Sequence, residues 1–303
     1  MKGDQPENSV EEWALPFVLD GSANPFRDRY GRLSTGDWCQ ILTEAEISPI
    51  IDGLEFPHLA PRAIQERMHG TAGTVALQEA AGFYRFVTSK PFFRQKAVAN
   101  ACFLDFGTGW GRMARFFLRD FDLNCQFAFE TQPTICFLAR RLNPYLCVLA
   151  GGEVPDETLP ASRFDLVVGW SVFSHLAEAA ATAWLAELAR IMRPNAYCLL
   201  STFGDRFLSQ LETVQAEFRD GKEIHWYFEN CLKAAGDIAA LRRRYQSGDF
   251  VWLGDGPTVN YGQAAILSEK ALLTIFRARK LPFDLIEFDH NSLNMDVFTI
   301  RRR

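Results

Sequence analysis

Cys102-Phe103-Leu104-Asp105-Phe106-Gly107-Thr108-Gly109-Trp110-Gly111-Arg112, continuing into Met113-Ala114-Arg115-Phe116-Phe117-Leu118, is the stretch whose reading decides the fold. The apolar run from Ala101 to Phe106 reads as a buried strand bounded by a glycine-rich turn. Met113, Phe116 and Phe117 then fall at the spacing of one helix face, so the pattern predicts strand, glycine loop, helix. That order sets backbone N–H groups and a helix N-terminus against a nucleotide-like ligand. Glycine accepts positive φ and removes the Cβ atom that would hold such a ligand off the backbone.

A dinucleotide site needs its third glycine three positions after the second, and here Arg112 stands in that place. The strand also carries Asp105 just before the loop, where a carboxylate would repel a pyrophosphate but attract a cationic amino group, directly or through water. Downstream, Cys125 to Glu130 is a second buried strand ending on an acid, placed to grip ribose hydroxyls from the neighbouring strand end. A helix from Gln132 to Leu142, a strand from Tyr145 to Leu149 and the loop Gly151-Gly152-Glu153 follow. Phe164 to Val168 reads as a central strand leaving through Trp170-Ser171-Val172-Phe173-Ser174-His175-Leu176. A helix from Ala179 to Met192 then ends at Arg193-Pro194-Asn195, and Ala196 to Phe203 is the fifth strand. Alternating strands and helices predict a parallel sheet with crossover helices.

Taken together, the glycine loop, Glu130, the Ser-Val-Phe-Ser-His-Leu turn and the helix ending Glu187 to Asn195 resemble the class I S-adenosylmethionine (SAM) dependent methyltransferases over residues 100 to 203. Asn195 departs from the glycine usual there, although asparagine tolerates a left-handed turn. The resemblance implies an α/β, doubly wound, seven-stranded, mostly parallel sheet of order 3-2-1-4-5-7-6. It implies SAM as cofactor, with Asp105, Gly107, Thr108, Gly109 and Gly111 around its methionine end and Glu130 on its ribose. Glu153 falls where the adenine edge is expected, and a solvated loop acid is the equal alternative; Trp170 and Ser171 leave the fourth strand at the same edge.

Around this core the chain divides into a mostly helical extension over residues 1–100 and a SAM-binding domain over 101–303, with 204–262 as a substrate-cover insertion. The polar start Met1 to Asn8 reads as a frayed tail, Asp28 to Arg32 as a turn, and 61–69 and Val75 to Thr88 as helices. His69-Gly70 and Tyr84 either close over the cofactor or belong to a structural cap. In the insertion, Asp205 to Asp220 and Glu223 to Tyr245 read as helices. The second ends in Arg242-Arg243-Arg244, which complements a helix dipole or forms an anion-binding patch. Gly248 to Gly262 reads as a hairpin or loop, and His225-Trp226-Tyr227-Phe228 fits a pocket wall and an ordinary core face equally. Ser268 caps a helix to Lys280, and Phe283–Phe288 with Asp296–Ile300 form a closing hairpin that again resembles the family.

The composition narrows the classes further. At 303 residues, 48% hydrophobic and 23% charged, the chain matches soluble globular proteins, and no apolar run approaches the ~20 residues of a membrane span. A net charge of −5 argues against a nucleic-acid surface, and the start has no signal-peptide core. Seven cysteines without a Cys-x-x-Cys pair read as small core residues in a reducing, cytoplasmic setting, and no metal-ligand spacing occurs. His175 and His225 are the candidate bases, His175 at the sheet edge and His225 in the cover. The expected activity is methyl transfer from SAM to an O or N atom of a small-molecule or sugar-like acceptor. An NAD(P)-linked oxidoreductase and a catalytically silent SAM-binding or interaction protein are the alternatives. Nothing in the sequence sets the oligomeric state.

Overall fold

In a computed structural model the chain is described over residues 24–96, 100–254 and 256–303. The polar start Met1–Asn8 lies outside the described residues. The extension comprises α1 (Pro25–Tyr30), α2 (Thr35–Glu44), a two-residue hairpin of β1 (Ile50–Ile51) and β2 (Leu54–Glu55), α3 (Arg62–His69), α4 (Thr74–Ser89) and α5 (Phe93–Lys96). The expected turn at Asp28 to Arg32 instead begins inside α1. Asn24 caps that helix by accepting the N–H groups of Phe26 and Arg27, and Pro25 pre-sets its first φ.

The central sheet contains β3 (Phe103–Phe106), β4 (Gln126–Glu130), β5 (Cys147–Ala150), β6 (Phe164–Gly169), β7 (Met192–Thr202), β10 (Phe283–Asp289) and β11 (Asp296–Arg302). Their spatial order is β5-β4-β3-β6-β7-β11-β10, with β11 antiparallel to both of its neighbours and the remaining pairs parallel. Numbered from β3, this is 3-2-1-4-5-7-6. Alternate residues of each strand face two separate cores. Phe103, Ala128, Leu166, Val168 and Leu199 join Phe26, Trp38 and Phe56 of the extension on one side. Leu104, Phe106, Phe129, Val167 and Leu200 pack on the other side against α7 (Glu178–Ile191) and α11 (Glu269–Ala278). Each fully buried large apolar side chain contributes about 1.5–3 kcal/mol.

The connection from β3 to β4 is not the expected α-helix. It is a chain of turns with 3-10 segments at Ala114–Phe117 and Leu123–Cys125. Gly111 sits at φ +91, and the following bonds close three residues back, Phe116 N–H to Met113 O and Asp120 N–H to Phe117 O. An amphipathic helix also needs a wet side, and this segment has none. Arg112, Arg115 and Arg119 are as buried as the phenylalanines between them, at 3%, 1% and 7% exposure. Arg112 meets Ala76 O and Glu79 of α4, Arg115 donates to His58 O (2.7 Å), and Arg119 donates to Tyr30 O and Leu33 O (2.9 and 3.0 Å). The extension supplies donors in return. Trp38 Nε1 reaches Phe116 O at 2.8 Å, and Asn24 Nδ2 reaches Leu118 O and Phe121 O at 2.6 Å each.

Three further boundaries differ from the sequence pattern. β7 starts at Met192 directly after α7, because Asn195 takes φ +63 and the pairing with β6 shifts register between Phe164 and Leu166. The insertion's α8 (Asp205–Arg219) is followed by two helices where one was expected, α9 (Trp226–Ala235) and α10 (Ile238–Ser247). Gly236 at φ +61 breaks the run, and Asp237 caps the second helix through Ala239 N–H. β8 (Val251–Leu253) pairs antiparallel with β9 (Ala264–Ile266), and these elements share a third core around Leu208, Leu211, Cys231 and Leu241.

Replacing Arg119 by Met strands the carbonyls of Tyr30 and Leu33 in a dry interior. The expected cost is about 2–4 kcal/mol of unfolding free energy, read by urea titration, since each unsatisfied buried polar group costs ~1–3 kcal/mol. A loss below about 0.5 kcal/mol would show that the extension is not held through this arginine.

Candidate functional site

Parallel pairing brings the C-terminal ends of β3, β4 and β6 to one rim, where the candidate residues lie. The loop after β3 is hung on β4, Gly107 and Thr108 both donating to Phe129 O at 2.9 and 3.0 Å. Gly107 has φ +74, and a Cβ there would come within 2.3 Å of Val172 Cγ2 from the β6 exit turn. Only glycine lets the two turns approach this closely.

Both acids point at the same loop. Asp105 is 1% exposed, and its Oδ2 accepts Thr108 Oγ1 at 2.7 Å and Ala114 N–H at 3.1 Å. Burial pushes its carboxyl up to about 6 against the pull of those bonds. Asp105 thus shapes the loop from behind. Glu130 stands in front, its Oε2 accepting Gly109 N–H at 3.0 Å and its Oε1 accepting the N–H groups of Thr131 and Gln132 at 2.8 and 2.9 Å. Asp105, the glycine loop and Glu130 therefore form one hydrogen-bonded unit.

Trp170 leaves β6 buried, its ring 4.8 Å from Phe83 of α4. Ser171 adopts φ +60, a strained conformation for a residue with a side chain, and its N–H donates to Ser201 Oγ at 2.6 Å. His175 completes the turn. Its Nδ1 lies 2.9 Å from Gln263 O, a carbonyl that can only accept, so Nδ1 carries the proton and Nε2 keeps its lone pair. Nε2 faces Ser171 Oγ at 3.4 Å, and the ring stacks on Tyr261 at 5.0 Å. Burial lowers its pKa to about 4, opposed by the carbonyl contacts.

The remaining candidates are placed differently. Glu153 Oε2 accepts Thr258 Oγ1 at 2.7 Å, tying the β5 loop to the insertion. His225 is exposed and caps α9, its Nδ1 accepting Tyr227 N–H at 3.3 Å. The α9 side chain that reaches the turn is Tyr227, whose hydroxyl donates to Gln263 O at 3.1 Å and whose ring stands edge-on to His175. Of the two extension residues, Tyr84 lies away from the loop, donating to Asp120 at 2.8 Å. His69 does reach it, accepting Trp110 Nε1–H at 3.0 Å, while Met68 Cε lies 3.0 Å from where a Gly109 Cβ would be. Burial, helped by Arg112, lowers His69 to about 3. Ser201 and Gln263 carried no sequence signal, since one is a strand serine and the other acts through its backbone.

Among the described residues no cluster of three His, Cys, Asp or Glu side chains is arranged to hold a metal ion, and no helix is long and apolar enough to cross a membrane. A family model described as a methyltransferase domain matches residues 79–236. No curated protein matches. A TehB-like SAM-dependent methyltransferase from Corynebacterium glutamicum is 15% identical, covering 73% of this chain and 88% of its own, with a TM-score of 0.42. A putative SAM-dependent methyltransferase from Listeria monocytogenes is 12% identical, covering 74% and 99%, with a TM-score of 0.49. A SAM-dependent methyltransferase from Leishmania major is 13% identical, covering 88% and 83%, with a TM-score of 0.49.

The geometry at His175 sets a direct spectroscopic expectation. Long-range 15N–1H correlation spectra should show its Nδ1 protonated and its Nε2 bare from pH 8 down to pH 5, with titration only near 4. A His175 that titrates near the ordinary 6.5 would contradict the placement of its ring.

Proposed function

The chain belongs to the methyltransferase-domain family and uses SAM as its cofactor; from that premise we propose that it transfers the methyl group to an O or N atom of a small-molecule or sugar-like acceptor. The observation that carries the site assignment is the hydrogen-bonded unit of Asp105, the 107–111 loop and Glu130 at one sheet rim. Its residues fit the cofactor chemically. The loop offers backbone without Cβ bulk, and Glu130 offers a carboxylate for a ribose diol in exchange for its Gly109 N–H bond. Thr108 stays with Asp105, which places negative charge behind the loop and favours a cationic ligand end. Trp170 and Ser171 line the β6 side, and Glu153 holds the loop nearest the adenine end. When bound, SAM supplies an electrophilic methyl on a sulfonium; the chain supplies position and a dry surrounding.

His175 is the proposed base. Held neutral, with its proton fixed on Nδ1, it presents Nε2 as an acceptor near Ser171 Oγ. Such a base takes the proton of an acceptor hydroxyl as the methyl is captured, or the proton that a neutral amine sheds once methylated, directly or through Ser171. His225, outside this arrangement, is left to cap its helix. The insertion over 204–262 closes the acceptor side through Tyr227 and Tyr261, both in ring contact with His175.

Calorimetric titration with S-adenosylhomocysteine tests the cofactor assignment. The parent chain should bind, and Glu130→Ala should weaken binding about 10–100-fold, the equivalent of ~1.5–3 kcal/mol for hydrogen bonds to a charged group. A melting curve run alongside separates lost binding from lost folding. Equal affinity in a folded Glu130→Ala chain would remove Glu130 from the site.

A further inference from the structure

At the opposite edge of the sheet, where β3 and β4 begin, two thiols stand side by side. The parallel register pairs Phe103 with Gln126, so the preceding residues, Cys102 and Cys125, lie side by side where the two strands begin, Cys125 closing the 3-10 turn that leads into β4. Both belong to the same core face, with Leu104, Phe106 and Phe129. Cys102 Sγ donates to Asn100 O at 3.9 Å, and the adjacent Cys102 thiol, with the guanidinium groups of Arg163 and Arg193, holds Cys125 below the usual thiol range against the effect of burial. Cys102 is the proton-holding partner and is pushed up.

The backbone on both sides is pinned, so the two residues do not drift apart. Cys102 N–H donates to Asp165 Oδ2 at 2.9 Å, and that same oxygen is bound by Arg193 at 2.7 Å. Cys102 O accepts Asp165 N–H at 2.8 Å, and Cys125 N–H donates to Asp122 O at 2.8 Å. The first residue pair of the two strands, one position on, sits at the usual strand spacing of about 4.7–4.9 Å, and a disulfide accepts Cα atoms about 4.4–6.8 Å apart, so the two cysteines start from a separation close to that range. Cys125 retains 7% exposure and Cys102 none, so a reagent as small as a peroxide meets Cys125 first.

We propose that Cys102 and Cys125 form an oxidation-sensitive dithiol, closed to a disulfide by hydroperoxides and reopened by thiols. The Cys125 thiolate attacks one peroxide oxygen and becomes a sulfenic acid as hydroxide leaves. Cys102 sulfur then attacks Cys125 sulfur, the S–S bond forms, and the sulfenic oxygen departs as water with the remaining proton. The pair gives up two electrons, and one hydrogen peroxide becomes two waters once the hydroxide takes up the proton that Cys125 released on ionising.

The other cysteines make the test selective. All seven are free, and Cys147 is the one that is partly exposed while the rest are buried. Exposure alone therefore points to Cys147 as the first thiol oxidised. The full chain, reduced and then treated with about one equivalent of hydrogen peroxide at pH 7.5, is alkylated and digested with trypsin without reduction. The expected product is a disulfide joining the Cys102 peptide to the peptide carrying Cys125 and Cys136, with fragment spectra assigning Cys125. Dithiothreitol should restore both thiols. In Cys102→Ser the reaction should stop at a Cys125 sulfenic acid that dimedone captures. Oxidation of Cys147 ahead of the pair, or a map with both Cys102 and Cys125 alkylated, overturns the proposal, and neither readout on the parent chain depends on a variant folding.

Discussion

A buried backbone carbonyl must find a donor, and the segment after the glycine loop has several that no helix satisfies. Turns and 3-10 geometry from Trp110 to Cys125 leave the oxygens of Phe116, Leu118, Arg119, Asp120 and Phe121 to be met from elsewhere. Trp38, Asn24 and Arg27 meet them from the extension, and Gln126 adds to the same set from β4. The traffic runs both ways, since Arg112, Arg115 and Arg119 carry donors back to the extension's carbonyls. The extension thus occupies the sheet face that a crossover helix would cover. Its aromatic residues, Phe26, Trp38 and Phe56 among them, then have a core to fill, and the site loop gains a rigid floor.

The same arrangement fixes the electrostatics of the rim. Asp105 and Glu130 flank one loop from opposite sides, and the charge of Glu130 adds to what burial already does in raising Asp105. Among the described residues their hydrogen-bond partners are backbone N–H groups and the Thr108 hydroxyl, with Arg112 acting on Asp105 through space. Hydrogen bonds from neutral donors leave each carboxylate its charge, so the pair favours a cation over a phosphate. A sulfonium and an ammonium on one ligand answer that field, whereas a pyrophosphate would oppose it.

Much of this was legible from residue order. The apolar runs ending at Asp105-Phe106 and at Glu130 marked two parallel strands and their acids, and the turn Trp170 to His175 marked the third. Local pattern sufficed because a strand buried on both faces is apolar throughout its length. It failed where the deciding partner was remote. The spacing of Met113, Phe116 and Phe117 fits a helix face, but Asn24, which bonds the carbonyls that a helix would have used, is 94 positions away from Leu118. Glu153 looked free because its partner Thr258 lies 105 residues on. Gly236 was visible, yet nothing in its neighbourhood announced φ +61 rather than a tolerated helical glycine. His69 and Tyr84 looked alike as residues of a covering layer, and only the path of α3 and α4 across the sheet separates them.

The insertion has a consequence for His175 that its distance in sequence conceals. Gln263 O takes the His175 Nδ1 proton and also the Tyr227 hydroxyl proton, so one carbonyl fixes the tautomer of the ring and the seat of α9 together. That carbonyl sits immediately before β9, whose pairing with β8 belongs to the insertion's own core. A shift of the β8–β9 ribbon would therefore release the Nδ1 proton and move Tyr227 in one step. Through that carbonyl the segment carrying Tyr227 and the turn carrying His175 are mechanically one part, and the tautomer of His175 follows from whether that part is in place.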